Sequence, residues 1–264
     1  MDPLARISYQ RFFRRYLWLA GMTGTAHEVA GELWSVYGLA TKRIPTNRPS
    51  MRTQSPTRVF ATEGAKWEAV LTRIVEIHSK DRPVLVGTRS VKASEHLSQL
   101  LTQRGLRHQL LNARQDKEEA MIVAQAGERG RITIATNMAG RGTDIKLAEG
   151  VADLGGLHVI ATELHEARRI DRQLFGRCGR QGNPGTCEAI VSRQDELATV
   201  YSNRLWKTLG AAANRTRNTV PWPRALDLKM AQRAAERLHH SMRKDLLRSD
   251  EQLESALAFS GRSE

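Results

Sequence analysis

Two arginines three positions apart, Arg177 and Arg180, carry the sharpest chemical signal in this sequence. They stand in the run Gln173-Leu174-Phe175-Gly176-Arg177-Cys178-Gly179-Arg180-Gln181-Gly182. That spacing puts both guanidiniums on one side of a helix. Planar guanidinium forks match phosphate oxygens and stabilise the charge that develops during phosphoryl transfer. Gly176, Gly179 and Gly182 leave room for another surface to come close. Upstream lies Ala135-Thr136-Asn137-Met138-Ala139-Gly140-Arg141-Gly142-Thr143-Asp144-Ile145. Gly140 and Gly142 permit a tight backbone path around Arg141 and Thr143, and Asp144 can accept hydrogen bonds from a ribose hydroxyl. Taken singly, the loop also reads as a polar connection with an Asp helix cap, and the arginines as partners of surface carboxylates. Together, the two runs read as half of a nucleotide-driven motor. Gln173 reads as a contact to nucleotide or to the neighbouring loop. Arg169 reads either as a contact to a second motor half or as a solvated helix charge. The phosphate loop of the other half, G-x-x-x-x-G-K-[ST], occurs nowhere in the 264 residues.

The elements that must position these residues alternate. Tyr9, Phe12, Phe13, Tyr16, Leu17 and Ala20 recur at helical spacing and predict a helix over 8–20, stopping at Gly21. Thr25-Ala26-His27-Glu28 has the pattern of a capping box, opening a second helix that stops near Gly38. Residues 41–58, with three prolines, read as an extended linker. From 59 onward, helices at 66–80, 91–103, 117–125 and through Arg169 and Gln173 alternate with strands at 83–87, 108–112, 131–136, 157–162 and 187–191. Such alternation predicts an α/β fold, a parallel sheet covered by helices on both faces. Ligands of these sheets bind at the carboxyl ends of the strands, where both runs are expected to fall. Gly87-Thr88-Arg89-Ser90 reads as a helix cap more readily than as an anion site. Ala231, Ala235, Leu238, Met242, Leu246, Leu253 and Leu257 mark a long amphipathic α-helix beginning near Pro223.

Composition sets the bounds. Forty per cent of the residues are hydrophobic, as in a globular protein of one or two domains. No apolar run is long enough to predict a membrane span, and Arg6, Arg11, Arg14 and Arg15 interrupt any signal-peptide core, so the expected location is cytoplasmic. A net charge of +13 suits polyanions, either nucleic acid or an anionic membrane surface. Cys178 and Cys187, without His or Cys companions at ligand spacing, predict no metal site, no zinc and no disulfide framework.

These motifs resemble the second RecA-like domain of superfamily 2 helicases and translocases (P-loop NTPase-type, helicase C-terminal), and more finely the SecA family of preprotein translocase motor ATPases. Gln10-Arg11-Phe12-Phe13 and Leu19-Ala20-Gly21-Met22-Thr23-Gly24-Thr25-Ala26 resemble the end of that family's first motor domain. Ile44-Pro45-Thr46-Asn47-Arg48-Pro49 resembles its connector. Leu111-Asn112-Ala113, Ile122-Val123-Ala124-Gln125-Ala126-Gly127, Gly155-Gly156-Leu157-His158-Val159-Ile160 and Arg168-Arg169-Ile170-Asp171 are similar to its second motor domain. The tail at 229–258 is similar to its scaffold helix. The resemblance covers residues 8–200, and Phe175 and Cys178 depart from the family pattern of Arg and a small residue.

The resemblance implies a remnant of the first motor domain at 1–40, a linker at 41–58, a RecA-like domain at 59–194 and a helical scaffold segment at 195–264. It implies ATP as cofactor, with the Mg²⁺ ligands on the half not encoded here. Asp144 and Arg141, with Gly140, Gly142, Thr143 and Gln173, would contact the nucleotide. Arg177 and Arg180 would be arginine fingers. Arg169, Thr23, Gly24 and Thr25 would couple the halves. The implied partners are a first motor domain or intact motor, preprotein and the Sec translocon, at the inner face of the cell membrane, with nucleic acid disfavoured. Two other readings stay open at this level: half of a nucleic-acid helicase, and a non-catalytic regulator that docks on an intact motor.

Overall fold

The structure is a computed structural model that describes residues 7–111, 122–136, 143–202 and 223–260, the last segment with side chains from 226 to 252. It divides into two compact units, Thr46–Arg233 and Met1–Pro45 with Ala234–Glu264.

The larger unit is built on a parallel sheet. Its strands are β1 (Met51–Gln54), β2 (Arg58–Phe60), β3 (Val84–Thr88), β4 (Gln109–Leu111), β5 (Ile132–Thr136), β6 (Leu157–Ala161) and β7 (Pro184–Ser192). The order is β1-β7-β6-β3-β5-β4, with β2 following β1 along the same edge of β7. Strands β3, β5 and β6 are buried at every residue, as continuous Val/Ile/Leu runs require when both faces are covered. Helices α3 (Glu63–His78) and α4 (Val91–Gln103) cover one face through Val70, Leu71, Ile74, Leu97 and Leu101, packed on Val84, Val86, Ile132 and Ile134. Leu174 and Phe175 of α5 (Arg168–Phe175), with Val123, Ile145 and Leu228, cover Leu85, Val159, Ala161 and Ala189 on the other. Thr62 and Ser90 cap α3 and α4 by accepting from the amides of Ala65 and Ala93. Ser90 therefore acts as the helix cap that its position in Gly87-Thr88-Arg89-Ser90 suggested.

Two strands fall where the sequence suggested a linker. β1 and β2 lie inside 41–58 and its border, and both pair with β7. Polar composition hid β1, which buries no residue, and β2 is only three residues long, too short for a periodic pattern to show. Most of the predicted helix at 117–125 lies outside the described residues.

A polar cluster centred on two buried residues, His158 and Glu188, lies under α3. His158 of β6 and Glu188 of β7 face each other, Nε2 to Oε1 at 3.0 Å. Arg73 of α3 donates to the same carboxylate, and Arg58 ion-pairs with it at 3.0 Å. Nδ1 of His158 lies 2.6 Å from the Thr186 hydroxyl, which accepts from Arg82. Both imidazole nitrogens are satisfied with the ring neutral, Nε2–H donating to Glu188 and Nδ1 accepting from Thr186. Burial lowers the His158 pKa below 6.5 against the pull of Glu188. Burial alone would raise Glu188, but the hydrogen bonds of His158 and Arg73 and the charge of Arg58 outweigh it and hold it at about 2. Both groups bind protons more weakly folded than unfolded, so stability falls on acidification. The His158 contribution is lost as pH falls below 6.5, and the Glu188 contribution as it falls from 4.5 through about 2. Denaturant midpoints measured from pH 8 to pH 3 are expected to drop in those two windows, with His158→Gln removing the upper drop. A midpoint flat across this range contradicts the assignment.

Helix α6 (Glu196–Tyr201) follows β7 in the larger unit. In the smaller unit, α1 (Tyr9–Phe13) and α2 (Ala30–Tyr37) are tied to the last part of α7 (Pro223–Ser260) by charge. Arg243 grips Glu32 with two hydrogen bonds of 2.6 and 2.9 Å, and Arg14 pairs with Glu251 at 2.7 Å. The first hydrogen bond, outweighing burial, lowers the Glu32 pKa. Here α1 is far shorter than the helix expected over 8–20. A helix of this length is marginal without a packed face, and Tyr9, Leu17 and Trp18 are exposed at 81%, 95% and 94%. The capping box at Thr25 does not form. Its hydroxyl lies 3.2 Å from that of Thr23, and a 3₁₀ turn, Ala26–Val29, precedes α2. Gly38, at φ +69°, ends α2 as expected. Of the stripe expected on α7, Ala231 and Ala235 are buried, while Leu238, Met242 and Leu246 are about half exposed. Among the described residues, no helix is long and apolar enough to cross a membrane.

Candidate functional site

Helix α5 delivers the arginine run. Its start is pinned in the interior: Asp171 accepts from the backbone amide and Nδ1 of His165 at 2.9 and 2.7 Å. Gln232 of α7 donates to Asp171 and to the His165 carbonyl at 2.6 and 2.7 Å. Its middle sits directly on β3, because Gly87 has no side chain and a Cβ there would collide with Leu174. The helix ends at Phe175 with Gly176 as its C-cap.

Arg177 and Arg180 therefore do not share a helix face, contrary to their spacing. They lie in the turn beyond it, where Gly179 (φ +64°), Gln181 (φ +54°) and Gly182 (φ +79°) adopt left-handed conformations that cannot continue a right-handed helix. Nor does the run lie at the carboxyl edge of the sheet. Helix α5 carries the chain from the end of β6 back toward the strand starts. There Gly179 rests on Arg52, which pairs in register with Gly185 near the beginning of β7. The Cys178 thiol donates to the Thr186 carbonyl at 3.4 Å.

The glycines make room for the chain's own edge strand. A Cβ on Gly179 would stand 2.6 Å from the Arg52 Cβ and 3.1 Å from its Cα, and one on Gly182 would stand 3.0 Å from Cδ of Arg48. Gly179→Ala is expected to cost at least about 1 kcal/mol from the left-handed backbone alone, with the contact adding to it. Thermal melting checks this, and an unchanged melting temperature contradicts the packing. Phe175 and Cys178, where the run departs from the family pattern, are both buried in the core.

The structure brings the two sequence runs together. Arg177 Nη1 donates to the Thr143 carbonyl at 3.1 Å. Arg180 Nη1 donates to Asp144 Oδ1 at 2.6 Å, and its Nε donates to the Gly176 carbonyl at 2.8 Å. Gln181 Nε2 donates to Asp144 Oδ2 at 3.2 Å. The side chains of Arg180 and Asp144 remain 36% and 37% exposed. A carboxylate offers roughly four lone-pair positions, so Asp144 keeps capacity for a ribose hydroxyl. Arg180 keeps its Nη2 amine unengaged among the described residues. The donor set fits a nucleotide presented from outside this sheet.

Other sequence candidates stand apart. Gln173 and Arg169 are exposed on α5. Gly140, Arg141 and Gly142 lie outside the described residues, and Thr23, Gly24 and Thr25 belong to the smaller unit. Sequence reasoning missed Arg48, Arg52 and Gln181 at this site. The signal for the first two was present in Arg48-Pro49-Ser50-Met51-Arg52, an extended stretch beside a proline. Among the described residues, no cluster of His, Cys, Asp and Glu could hold a metal ion.

Family comparison agrees with this architecture. The SecA P-loop domain matches residues 49–153 and 146–214, which together contain both runs and the sheet. The chain belongs to the SecA family. The SecA DEAD-like domain matches residues 2–34. Protein translocase subunit SecA 2 of Nitrosospira multiformis is 52% identical over 262 residues, covering 99% of this SecA chain and 39% of the relative. SecA 2 of Bordetella avium is 51% identical, covering 100% and 40%, and SecA of Caldicellulosiruptor saccharolyticus is 48% identical, covering 95% and 30%. The chain thus spans about two fifths of the first two relatives. The DEAD-box protein SrmB of E. coli overlays at a TM-score of 0.44 and 18% identity over 58% of this chain, too loosely to add to the assignment.

Proposed function

We propose that this chain supplies the second half of a SecA-type ATP-driven motor. Arg177 and Arg180 act on the phosphates of a nucleotide held by a first motor domain, and Asp144 meets its ribose. The observation that supports this reading best is the meeting of the two runs, Arg180 on Asp144 and Arg177 on the Thr143 carbonyl, in a sequence that contains no phosphate loop. The arginines leave the flank of the sheet, not a cradle within it, which suits donors presented to a ligand on another body. ATP bound there supplies the phosphoryl group for transfer to water. This chain's residues orient it and stabilise charge, and none of them replaces the phosphate-loop lysine.

Gly140, Arg141, Gly142 and Gln173 complete the nucleotide contact, while Arg169 with Thr23, Gly24 and Thr25 couples the two halves. The SecA DEAD-like match at 2–34 coincides with the exposed Tyr9, Leu17, Trp18 and Met22, the surface that the remainder of that domain covers. Large exposed apolar surface of this kind favours association. The larger assembly moves preprotein through the Sec translocon at the inner face of the cell membrane, and the charge of +13 favours contact with anionic lipid. Titrating this chain into a first SecA motor domain and following ATP turnover tests the reading. Turnover is expected only when both are present, and turnover unaffected by removal of both arginines contradicts it.

A further inference from the structure

The arginine turn is held from an unexpected quarter. Phe175 is the last residue of α5, and its carbonyl is among those that a helix leaves without an intrahelical partner. Nη1 of Arg52, on edge strand β1, donates to that carbonyl at 3.2 Å. The Cys178 sulfur lies 3.3 Å from the same oxygen, sharing its one proton between this carbonyl and that of Thr186. A cation at this position also complements the partial negative charge of a helix C-terminus. One residue on, the Gly176 carbonyl accepts from Nε of Arg180. The place where α5 stops therefore sets where the Arg180 guanidinium is anchored, and Arg52 bonds to that stop beside the Cys178 amide, which donates to the same carbonyl at 3.4 Å. The backbone of Arg52 completes the support by seating Gly179, between Arg177 and Arg180.

We propose that Arg52 is a positioning residue for the arginine pair, acting through the Phe175 carbonyl and the seat of Gly179. The proposal rests on the finger reading of Arg177 and Arg180. Arg52→Ala keeps the β1 backbone and the Cβ against Gly179 and removes the rest of the side chain with its guanidinium. Arg52→Lys restores a cation and a donor of nearly the same reach, so it separates loss of the bond from loss of the fold.

Two measurements test it. Amide exchange on the 264-residue chain alone is expected to show faster exchange at 177–182 in Arg52→Ala, with α3, α4 and the strands unchanged, and recovery toward wild type in Arg52→Lys. In the chain complemented with a first SecA motor domain, Arg52→Ala is expected to lower kcat by up to about a hundredfold, the scale of a misplacement near 1 Å. KM for ATP should stay within about twofold, as for an interaction made in the transition state only. Arg52→Lys should recover most of kcat. A kcat unchanged in Arg52→Ala, while Arg180→Ala abolishes turnover, overturns the proposal and leaves the finger reading standing. Turnover unchanged in both variants overturns the finger reading and this proposal with it. Equal losses in Arg52→Ala and Arg52→Lys, with exchange faster throughout the sheet, reduce Arg52 to a structural strand residue and also overturn it.

Discussion

Replacing Arg180 by alanine in the complemented motor is expected to remove nearly all ATP turnover, by roughly 10³–10⁵-fold if it contributes as arginine fingers do. Arg180 holds Asp144 and the Gly176 carbonyl at once and, among the described residues, keeps one amine unengaged, so the guanidinium is anchored before a phosphate arrives. A donor fixed in advance stabilises transition-state charge without reorganising. Arg177→Ala is expected to cost less, because its observed bond is to the Thr143 backbone and its loss also loosens that loop. The double variant should fall short of the summed losses, since residues acting as a unit are not additive. Steady-state turnover of the four combinations checks this. A double variant within twofold of wild type sinks the assignment.

The second large effect is on stability. Lys66 of α3 is 1% exposed, and its ammonium lies 2.6 Å from Asp195. The other Asp195 oxygen accepts from the Ser192 amide at 2.6 Å, closing the turn after β7. Removing one partner of a buried pair leaves an uncompensated charge, so Lys66→Ala is expected to cost about 3–5 kcal/mol. Burial already pushes the Asp195 carboxyl upward against the pull of Lys66. Without Lys66 that carboxyl is relieved by taking a proton, so the deficit should narrow as pH falls. Urea denaturation at pH 8 and pH 5 measures both, and a second change, Asp195→Leu, should recover part of the loss. A deficit below about 1 kcal/mol, as for exposed pairs, contradicts the burial argument.

How much of this was legible in the sequence depends on the physics behind each element. The central strands were readable because burial on both faces demands uninterrupted runs such as Val84-Leu85-Val86 and Ile132-Thr133-Ile134. Edge strand β1 escaped because an edge needs pairing more than apolar residues, and Arg52-Thr53-Gln54 carries no burial signal, while β2 is three residues long and too short to show a period. The charge and hydrogen-bonding capacity of Arg177, Arg180 and Asp144 were legible from residue type. Their placement was not, because positive φ at Gln181 is a property of the folded turn and cannot be read from arginine spacing. The glycines were correctly read as permitting close approach. The approaching surface, Arg48 and Arg52, comes from more than a hundred positions earlier and follows only from the pairing of β1 with β7.

The most direct test of the central claim, that the arginine pair of this chain acts on a nucleotide held by another motor half, is a binding measurement with a transition-state mimic. Labelled chain is titrated with a first SecA motor domain loaded with ADP alone, and then with ADP and aluminium fluoride. Transition-state analogues gain about 10²-fold or more where groups are complementary to the transition state, so association should tighten by at least that order with the mimic. The increment should vanish in the variant lacking both Arg177 and Arg180. Equal affinity with ADP and with the mimic, or an increment that survives loss of both arginines, would contradict the account.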